Sequence, residues 1–197
     1  MNDKTCYIYD MDDTLFFARQ PIGVKDDQGV VCRFIEPHEY DATVKEYSPD
    51  RFCFNKLMDM DNFAETVAPN WLMINQCIED MSKPDTDMFF MTARHAVYEP
   101  EKLFKVFREH GIEVEGHRFV FASANKPGNP SHLSKLPYFN DVCKQGYNRV
   151  VVYDDSITNL QTFHEIRKDF PNIKFEFWHV QKDGTWDDFD TYHSRWL

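Results

Sequence analysis

Short apolar runs rich in strand-forming residues are the feature that most constrains how this chain folds. The clearest are TCYIYD (residues 5–10), DMFFM (87–91) and RVVVYDD (149–155). HRFVFA (117–122) and FEFWHV (175–180) are similar in length and composition. Runs of this kind predict buried β-strands.

Helical periodicity separates these strands. Apolar residues recur at helical spacing over 70–81, 99–110, 132–145 and 159–168. Pro100 suits a first helical turn, and Gly111 suits a helix end. Strands that alternate with helices at this spacing predict an α/β fold, in which helices cover both faces of a mostly parallel sheet.

Residues 18–69 interrupt the alternation. A hairpin is predicted around Asp26–Gly29, within VKDDQGVVCRF, because turn residues separate two β-forming runs. The rest of the segment is polar and aromatic and shows no regular period. We interpret residues 18–69 as a small insertion or flap that lies over one end of the sheet, within a single domain formed by the whole chain.

Composition argues against several classes of function. The formal charge is −11, so long-range electrostatics repel nucleic acids and anionic membranes. No apolar stretch reaches the roughly 18 to 20 residues that cross a bilayer, and MNDKTCYIYD (1–10) lacks the order of a signal peptide. We therefore expect a cytoplasmic protein with no membrane partner. Neither a G-x-G-x-x-G motif nor a P-loop occurs.

The cysteine pattern predicts reduced thiols. The cysteines are widely spaced and form no C-x-x-C pair: Cys6, Cys32, Cys53, Cys77 and Cys143. This pattern argues against a disulfide framework and against a zinc knuckle. We expect all five side chains to be reduced and buried.

Acidic and hydroxyl residues stand where three predicted strands end. Asp10 ends the first strand, Asp154 and Asp155 end RVVVYDD, and Thr92 follows DMFFM. Because the carboxyl ends of parallel strands share one edge of a sheet, we expect these side chains to meet there. Carboxylates in a group repel one another unless they hold a cation, and Mg²⁺ is the ion most consistent with oxygen ligands. Each residue taken alone is also consistent with simple capping of the next turn.

Four motifs in order resemble those of the haloacid dehalogenase-like (HAD) phosphohydrolases. DMDDTL (10–15) is similar to the first motif, D-x-D-x-T, and FFMTAR (89–94) is similar to the second, in which a Ser or Thr ends a strand. VVVYDDSITN (150–159) is similar to the acidic fourth motif. For the lysine of the third motif, Lys135 fits best and Lys126 is the alternative. The resemblance covers the core but not the insertion, and it implies a three-layer α/β/α Rossmann-like fold.

The chain departs from the family pattern at two positions. Asp13 stands where glycine is common, a change that leaves both catalytic aspartates of the first motif in place. Asn159 stands where many members have a second acid, which weakens the expected support for the metal at that position.

The resemblance implies an aspartyl-phosphate mechanism. Asp10 is the expected nucleophile, and Asp12 is the expected general acid and then general base. The expected Mg²⁺ ligands are the Asp10 carboxylate, the Asp12 main-chain carbonyl and an acid of the fourth motif. Asp155 is the first choice for that acid because DSITN aligns with the family's D-S-x-x-D, and Asp154 is the alternative.

The resemblance also implies phosphate-binding residues. Thr92 and nearby main-chain N–H groups are expected to bind phosphoryl oxygens, and Lys135 is expected to balance the charge of the intermediate. Arg94 and His95, just past Thr92, are candidates for contact with the substrate, although an exposed arginine at a helix start is also ordinary.

The 18–69 insertion is relevant to the identity of the substrate. In the family, large caps tend to enclose small metabolites, and minimal caps admit bulkier phosphoesters. The arrangement of the motifs along this chain is also loosely similar to that of phage-type members and of HAD domains of nucleic-acid end repair. A phosphatase of nucleotides or other small phosphoesters is the leading interpretation, with a polynucleotide 3′-end phosphatase as the alternative, against which the net charge argues. A non-catalytic HAD-fold binding or regulatory protein and a phosphotransferase with an acceptor other than water are further hypotheses.

Overall fold

Strands and helices alternate along most of the chain. The structure, a computed structural model, describes residues 4–36, 39–43, 46–94, 100–122 and 130–193. Its strands are β1 (Thr5–Tyr9), β2 (Phe16–Phe17), β3 (Ile22–Lys25), β4 (Val31–Ile35), β5 (Phe52–Cys53), β6 (Ala68–Pro69), β7 (Thr86–Thr92), β8 (Arg118–Phe121), β9 (Arg149–Asp154), β10 (Lys174–Val180) and β11 (Trp186–Asp188). Its α-helices are α1 (Tyr40–Thr43), α2 (Met60–Thr66), α3 (Trp71–Met81), α4 (Pro100–Glu109), α5 (Ser131–Cys143), α6 (Ile157–Ile166) and α7 (Phe189–His193). Short 3₁₀-helices cover Pro49–Arg51, Asn55–Met58 and Arg167–Asp169. Within the described ranges, no helix has the length and apolar character needed to cross a bilayer.

A six-stranded sheet forms the centre of the fold, in the order β11-β10-β9-β1-β7-β8. Neighbouring strands from β10 to β8 are parallel, and β11 at one edge runs antiparallel to β10. This arrangement confirms the predicted α/β class and the mostly parallel sheet. Because β1 lies between β9 and β7, the three strands whose ends carry the acidic and hydroxyl residues are neighbours.

Alternate side chains of β1 enter two different hydrophobic clusters. Tyr7 and Tyr9 pack in a cluster with buried residues of α3 and α4, whereas Cys6 and Ile8 pack with buried residues of α5 and α6. Successive side chains of a strand point to opposite faces, so helices cover both faces of the sheet.

The helix α6 starts earlier than the sequence predicts, and the strand before it ends earlier. The strand predicted over 149–155 ends at Asp154, and the helix predicted from residue 159 begins at Ile157. The Ser156 Oγ accepts a hydrogen bond from the Asn159 N–H (3.3 Å), which caps the helix before its first turn.

The start of α5 and the strand β11 also differ from the prediction. ANKPGNPS (124–131), a cluster of Pro, Gly, Asn and Ser, predicts a loop, but Ser131 already belongs to α5, and residues 124–129 lie outside the described residues. The sequence does not predict β11, because its three residues, WDD, contain one apolar side chain and no strand pattern. Pairing with β10 stabilises that short strand.

The 18–69 segment contains the predicted hairpin and more regular structure than its sequence indicates. The strands β3 and β4 pair across a turn at Asp26, whose N–H donates to the Val30 carbonyl (2.8 Å), and β5 joins them in a three-stranded sheet. The helix α2 is seven residues long and buries Met60 and Phe63. Such a short helix depends on tertiary packing rather than on a repeated pattern, so periodicity does not predict it.

The five cysteines are free thiols, as the sequence predicts. Cys6, Cys77 and Cys143 are buried, and burial raises the pKa of each thiol. The prediction that all five are buried is wrong for Cys32, which is exposed on the edge strand β4, and for the half-buried Cys53. Arg33 and Phe34, which follow Cys32 in β4, are exposed as well, so neither face of the strand is covered at this point.

One asparagine joins three parts of the fold beside the carboxyl edge of the sheet. The buried Asn70 caps α3 by accepting a hydrogen bond from the Met73 N–H (3.4 Å), and its Nδ2 donates to the carbonyls of Thr14 (2.9 Å) and Gly184 (3.4 Å). The left-handed backbone of Gly184, with φ of +87°, brings the chain so close that a Cβ there would lie 2.6 Å from the Asn70 Oδ1. The loop after β1 is therefore fixed to α3.

We expect Asn70→Ala to lower the free energy of unfolding by about 2 kcal/mol, since it removes a helix cap and leaves buried carbonyls without a donor. Urea titration followed by circular dichroism measures the change. Asn172→Ala, at an exposed turn residue, is the matched control and should change stability by less than about 0.5 kcal/mol. Equal effects of the two substitutions would contradict the role of Asn70.

Candidate active site

Acidic residues of two neighbouring strands meet at the carboxyl edge of the sheet. Asp10 follows β1, and Asp154 ends β9, in which Tyr153 pairs with Tyr9. The Asp10 N–H donates to the Tyr153 carbonyl (2.9 Å), so the pairing continues by one more residue. Asp10, Asp154 and Asp155 each place a carboxylate oxygen within 4.8 Å of the other two. Carboxylates from distant parts of the chain are therefore close enough to share one cation.

A buried lysine lies between these carboxylates. Lys135, near the start of α5, donates from Nζ to the Asp10 Oδ1 (2.6 Å) and to the Asp154 Oδ2 (2.9 Å). The side chain is almost completely shielded from solvent. The structure thus brings the preferred third-motif lysine to the acidic cluster, whereas the alternative, Lys126, lies outside the described residues.

Burial and charge perturb the protonation of the cluster. Burial raises the pKa of Asp10 to about 7; Lys135 opposes this shift and Asp154 adds to it. Burial, together with the charges of Asp10 and Asp154, raises the pKa of Asp155 well above its usual value. Burial alone would lower the pKa of Lys135, but its two carboxylate partners outweigh that effect and raise it. One ammonium therefore does not fully offset the repulsion among the carboxylates.

Asp154 and Asp155 are adjacent but have different partners. The Asp154 carboxylate accepts hydrogen bonds from the Ser156 N–H (2.9 Å) and from the Asn159 Nδ2 (2.9 and 3.0 Å), in addition to Lys135. Among the residues that the structure describes, no donor reaches the Asp155 carboxylate, and the residue as a whole is half-buried. Of the pair, Asp155 thus has the carboxylate without a hydrogen-bond donor, while the carboxylate of Asp154 is held by several donors.

Main-chain contacts fix the position of Asp155. Its N–H donates to the Thr14 Oγ1 (3.1 Å), and its carbonyl accepts a hydrogen bond from the His179 Nε2 (3.0 Å). Thr14 completes the D-x-D-x-T motif, which is the signal that would have identified it from sequence. His179 lies in β10 and belongs to no motif, so sequence patterns do not single it out.

The Asp12 carboxylate is held by Arg94. The Arg94 Nε donates to Oδ1 (3.1 Å) and Oδ2 (2.9 Å), and its Nη2 donates to Oδ1 (2.7 Å). The Thr92 Oγ1 donates to the Asp12 Oδ2 (3.2 Å) and accepts from the Arg94 N–H (3.1 Å). Several charge-assisted contacts on a planar group restrict its rotation, so the Asp12 carboxylate has one preferred orientation.

The surroundings of Arg94 differ from those expected for an exposed arginine. Its side chain is 2% exposed, and its guanidinium faces Asp12 and the Gln20 Oε1 (2.7 Å). The observed contacts orient Asp12, and the substrate-binding role of Arg94 stays a prediction. His95 lies outside the described residues. Gln20 belongs to no motif, and sequence patterns give it no role.

Asp13 has a left-handed backbone, with φ of +59°. Glycine adopts this conformation freely, and aspartate adopts it more readily than most other residues. The Asp13 Oδ1 accepts a hydrogen bond from the Ala18 N–H (3.1 Å), which holds the turn after β1. This backbone conformation is therefore compatible with aspartate at position 13.

Comparisons with protein-family models, with curated proteins and with solved structures give no match to this chain. The resemblance in motif order therefore stays a proposal. Its structural support is the placement of the motif residues described above.

The ion pair of Arg94 with Asp12 yields a stability prediction. We expect Arg94→Ala to lower the free energy of unfolding by about 3 kcal/mol, since truncating one partner of a largely buried pair leaves the other uncompensated. Arg108→Ala is the matched control, because Arg108 forms solvent-exposed pairs with Glu101 and Glu115, which contribute little. Denaturant titration compares the variants, and similar losses for both would contradict the expectation.

Proposed function

We propose that this chain is a Mg²⁺-dependent phosphomonoester hydrolase of the haloacid dehalogenase-like fold, acting through an aspartyl-phosphate on nucleotides or other small phosphoesters. The observation that carries the proposal is the meeting of Asp10, Asp154 and Asp155, the first two of which are paired with the Lys135 ammonium. A carboxylate nucleophile, a cation that offsets its charge and a further carboxylate without a hydrogen-bond donor thus lie together.

The placement of the motifs supports the proposed fold family. Asp10, Thr92 and Asp154 lie at the ends of β1, β7 and β9, which are adjacent in the sheet. Lys135 lies near the start of the helix that precedes β9. Motif residues in this order, at one edge of a parallel sheet with helices on both faces, support a three-layer Rossmann-like arrangement.

Mg²⁺ fits the donor set of the cluster. The potential ligands are carboxylate oxygens, and when Asp10, Asp154 and Asp155 are ionised, the single Lys135 ammonium leaves two negative charges for a divalent cation. In the part of the chain that the structure describes, the buried Asn159 Oδ1 has no hydrogen-bond partner, so an acceptor is left for a water of hydration.

Asp10 and Asp155, with the Asp12 main-chain carbonyl, would hold the ion. Bound there, Mg²⁺ supplies the positive charge that lets a carboxylate approach a phosphate. Asp154 is the alternative ligand, but its hydrogen bonds to Lys135 and Asn159 favour a supporting role.

Asp10 acts as the nucleophile, and Asp12 acts first as the general acid and then as the general base. A carboxylate oxygen of Asp10 forms a bond to phosphorus while the bond from phosphorus to the ester oxygen breaks, and Asp12 gives its proton to that oxygen. Asp12, now ionised, takes a proton from water as the water oxygen bonds to phosphorus and the bond to Asp10 breaks. Asp10 regains its carboxylate and Asp12 its proton, and phosphate leaves.

Thr92 and Lys135 support these steps. Lys135 holds the Asp10 carboxylate through Oδ1 and offsets the negative charge that collects on the intermediate. We assign binding of phosphoryl oxygens to the Thr92 hydroxyl and neighbouring main-chain N–H groups.

Release of p-nitrophenol from p-nitrophenyl phosphate, with Mg²⁺ and with EDTA, tests the proposal. We expect Mg²⁺-dependent turnover and a loss of at least about 10⁴-fold in Asp10→Asn, because an amide oxygen is a poor nucleophile. Asp169→Asn, at an exposed aspartate on the 3₁₀-helix after α6, is the matched control and should keep full activity. Circular dichroism verifies that each variant is folded.

Turnover retained by Asp10→Asn would remove the nucleophile from the proposal. Failure of the wild-type protein to hydrolyse nucleoside monophosphates, sugar phosphates and 3′-phosphorylated oligonucleotides would contradict hydrolysis itself. Mg²⁺ binding without turnover would instead indicate a HAD-fold binding protein, and turnover confined to the oligonucleotides would indicate a 3′-end phosphatase.

A further inference from the structure

A buried glutamine joins the 18–69 segment to the proposed catalytic residues. Gln20 has no exposed surface. Its Nε2 donates to the carbonyls of Lys56 (2.9 Å) and Asp59 (2.8 Å), and its Oε1 accepts from the Arg94 Nη2 (2.7 Å). One side chain thus contacts the turn before α2 and the arginine that holds Asp12.

The 18–69 segment supplies two supports for the Arg94 guanidinium. Gln20 contacts its Nη2, and the Phe63 ring of α2 lies with its centre 4.6 Å from the guanidinium carbon, in cation–π contact. The same Nη2 donates to the Asp12 Oδ1 at 2.7 Å. The position of Asp12 therefore depends on residues outside the motifs of the proposed mechanism.

We propose that Gln20 is a positioning residue, which fixes the Asp12 carboxylate through Arg94 and so makes the 18–69 segment part of the catalytic apparatus. The expected effect on catalysis rests on the proposed function. The expected effect on the position of Arg94 rests on the hydrogen bonds alone.

The amide group of glutamine suits this position. It presents two donors to two carbonyls and, at the same time, an acceptor to a guanidinium. The carboxylate of a glutamate has no donor for the Lys56 and Asp59 carbonyls, and a methionine has neither donor nor strong acceptor. Loss of the amide therefore removes the link between Arg94 and the turn before α2.

A misplaced Asp12 should affect substrates unequally. Protonation of the leaving oxygen matters greatly for phenyl phosphate, whose leaving group is a strong base, and little for 2,4-dinitrophenyl phosphate, whose leaving group departs as an anion. General loss of folded protein would reduce both rates by the same factor. The ratio of the two kcat/KM values therefore separates positioning from simple destabilisation, since kcat/KM excludes the later hydrolysis of the intermediate, which is common to both substrates.

We expect Gln20→Met to lower kcat/KM for phenyl phosphate by at least about 10-fold and kcat/KM for 2,4-dinitrophenyl phosphate by less than about 3-fold, because kcat/KM reports the steps up to departure of the leaving group and not the later hydrolysis of the intermediate. Gln20→Asn, whose amide is one methylene shorter, should show the same inequality and serves if Gln20→Met does not fold. Gln76→Met is the matched control, since Gln76 contacts Asp80 on α3 and should leave both rates unchanged.

A double-variant cycle tests whether Gln20 acts through Arg94. We expect the Gln20→Met substitution to cause no further loss of kcat/KM for phenyl phosphate in an Arg94→Met background, because the link is already absent. Losses of kcat/KM that multiply in the double variant, or equal losses of kcat/KM for both leaving groups, would overturn the proposal.

Nuclear magnetic resonance of the Arg94 side-chain N–H groups, assigned by their absence in Arg94→Met, gives a readout independent of catalysis. We expect hydrogen exchange of the Nη2 protons to be faster in Gln20→Met than in the wild-type protein, and unchanged exchange would overturn the proposal. If the wild-type protein hydrolyses no phosphoester, the proposed function fails, and the exchange measurement still decides whether Gln20 holds Arg94.

Discussion

The site depends on the hydrogen bonds of the buried Lys135 ammonium. It donates to Asp10 and to Asp154, and thereby joins α5 to two adjacent strands of the central sheet. Without this cation the carboxylates of Asp10, Asp154 and Asp155 would repel one another in a region largely shielded from water. Removing one partner from a buried ion pair typically costs about 3–5 kcal/mol. The lysine therefore stabilises the fold at the same point at which it supports the proposed chemistry.

The two aspartates of the first motif have different environments. Asp10 is 7% exposed in its side chain and contacts an ammonium through one oxygen, whereas Asp12 is 29% exposed and contacts a guanidinium through both oxygens. A nucleophile needs its charge offset at the point of attack, and an acid or base needs a fixed orientation and access to the leaving group and water. The Lys135 ammonium thus offsets the charge of the proposed nucleophile, and the Arg94 guanidinium fixes the orientation of Asp12.

The sequence predicts the strands and strand-end residues that are encoded by local patterns. The apolar runs predict the parallel strands of the central sheet, and the strand-end position of Asp10 predicts its meeting with Asp154. The burial of Arg94 and the contacts of Gln20 depend on how the 18–69 segment folds, and its short elements are stabilised by tertiary contacts rather than by a repeated pattern. Gln20 lies outside any motif, so sequence patterns do not predict its role. Its contacts with Lys56, Asp59 and Arg94 become apparent only in the structure.

The claim that separate segments hold one ion is tested most directly by anomalous scattering from crystals grown with Mn²⁺, which also prefers oxygen ligands. We expect one anomalous peak at the carboxyl edge of the sheet, within coordination distance of carboxylate oxygens of both Asp10 and Asp155. A peak bound to only one of these residues, or no peak at this edge, would contradict the account.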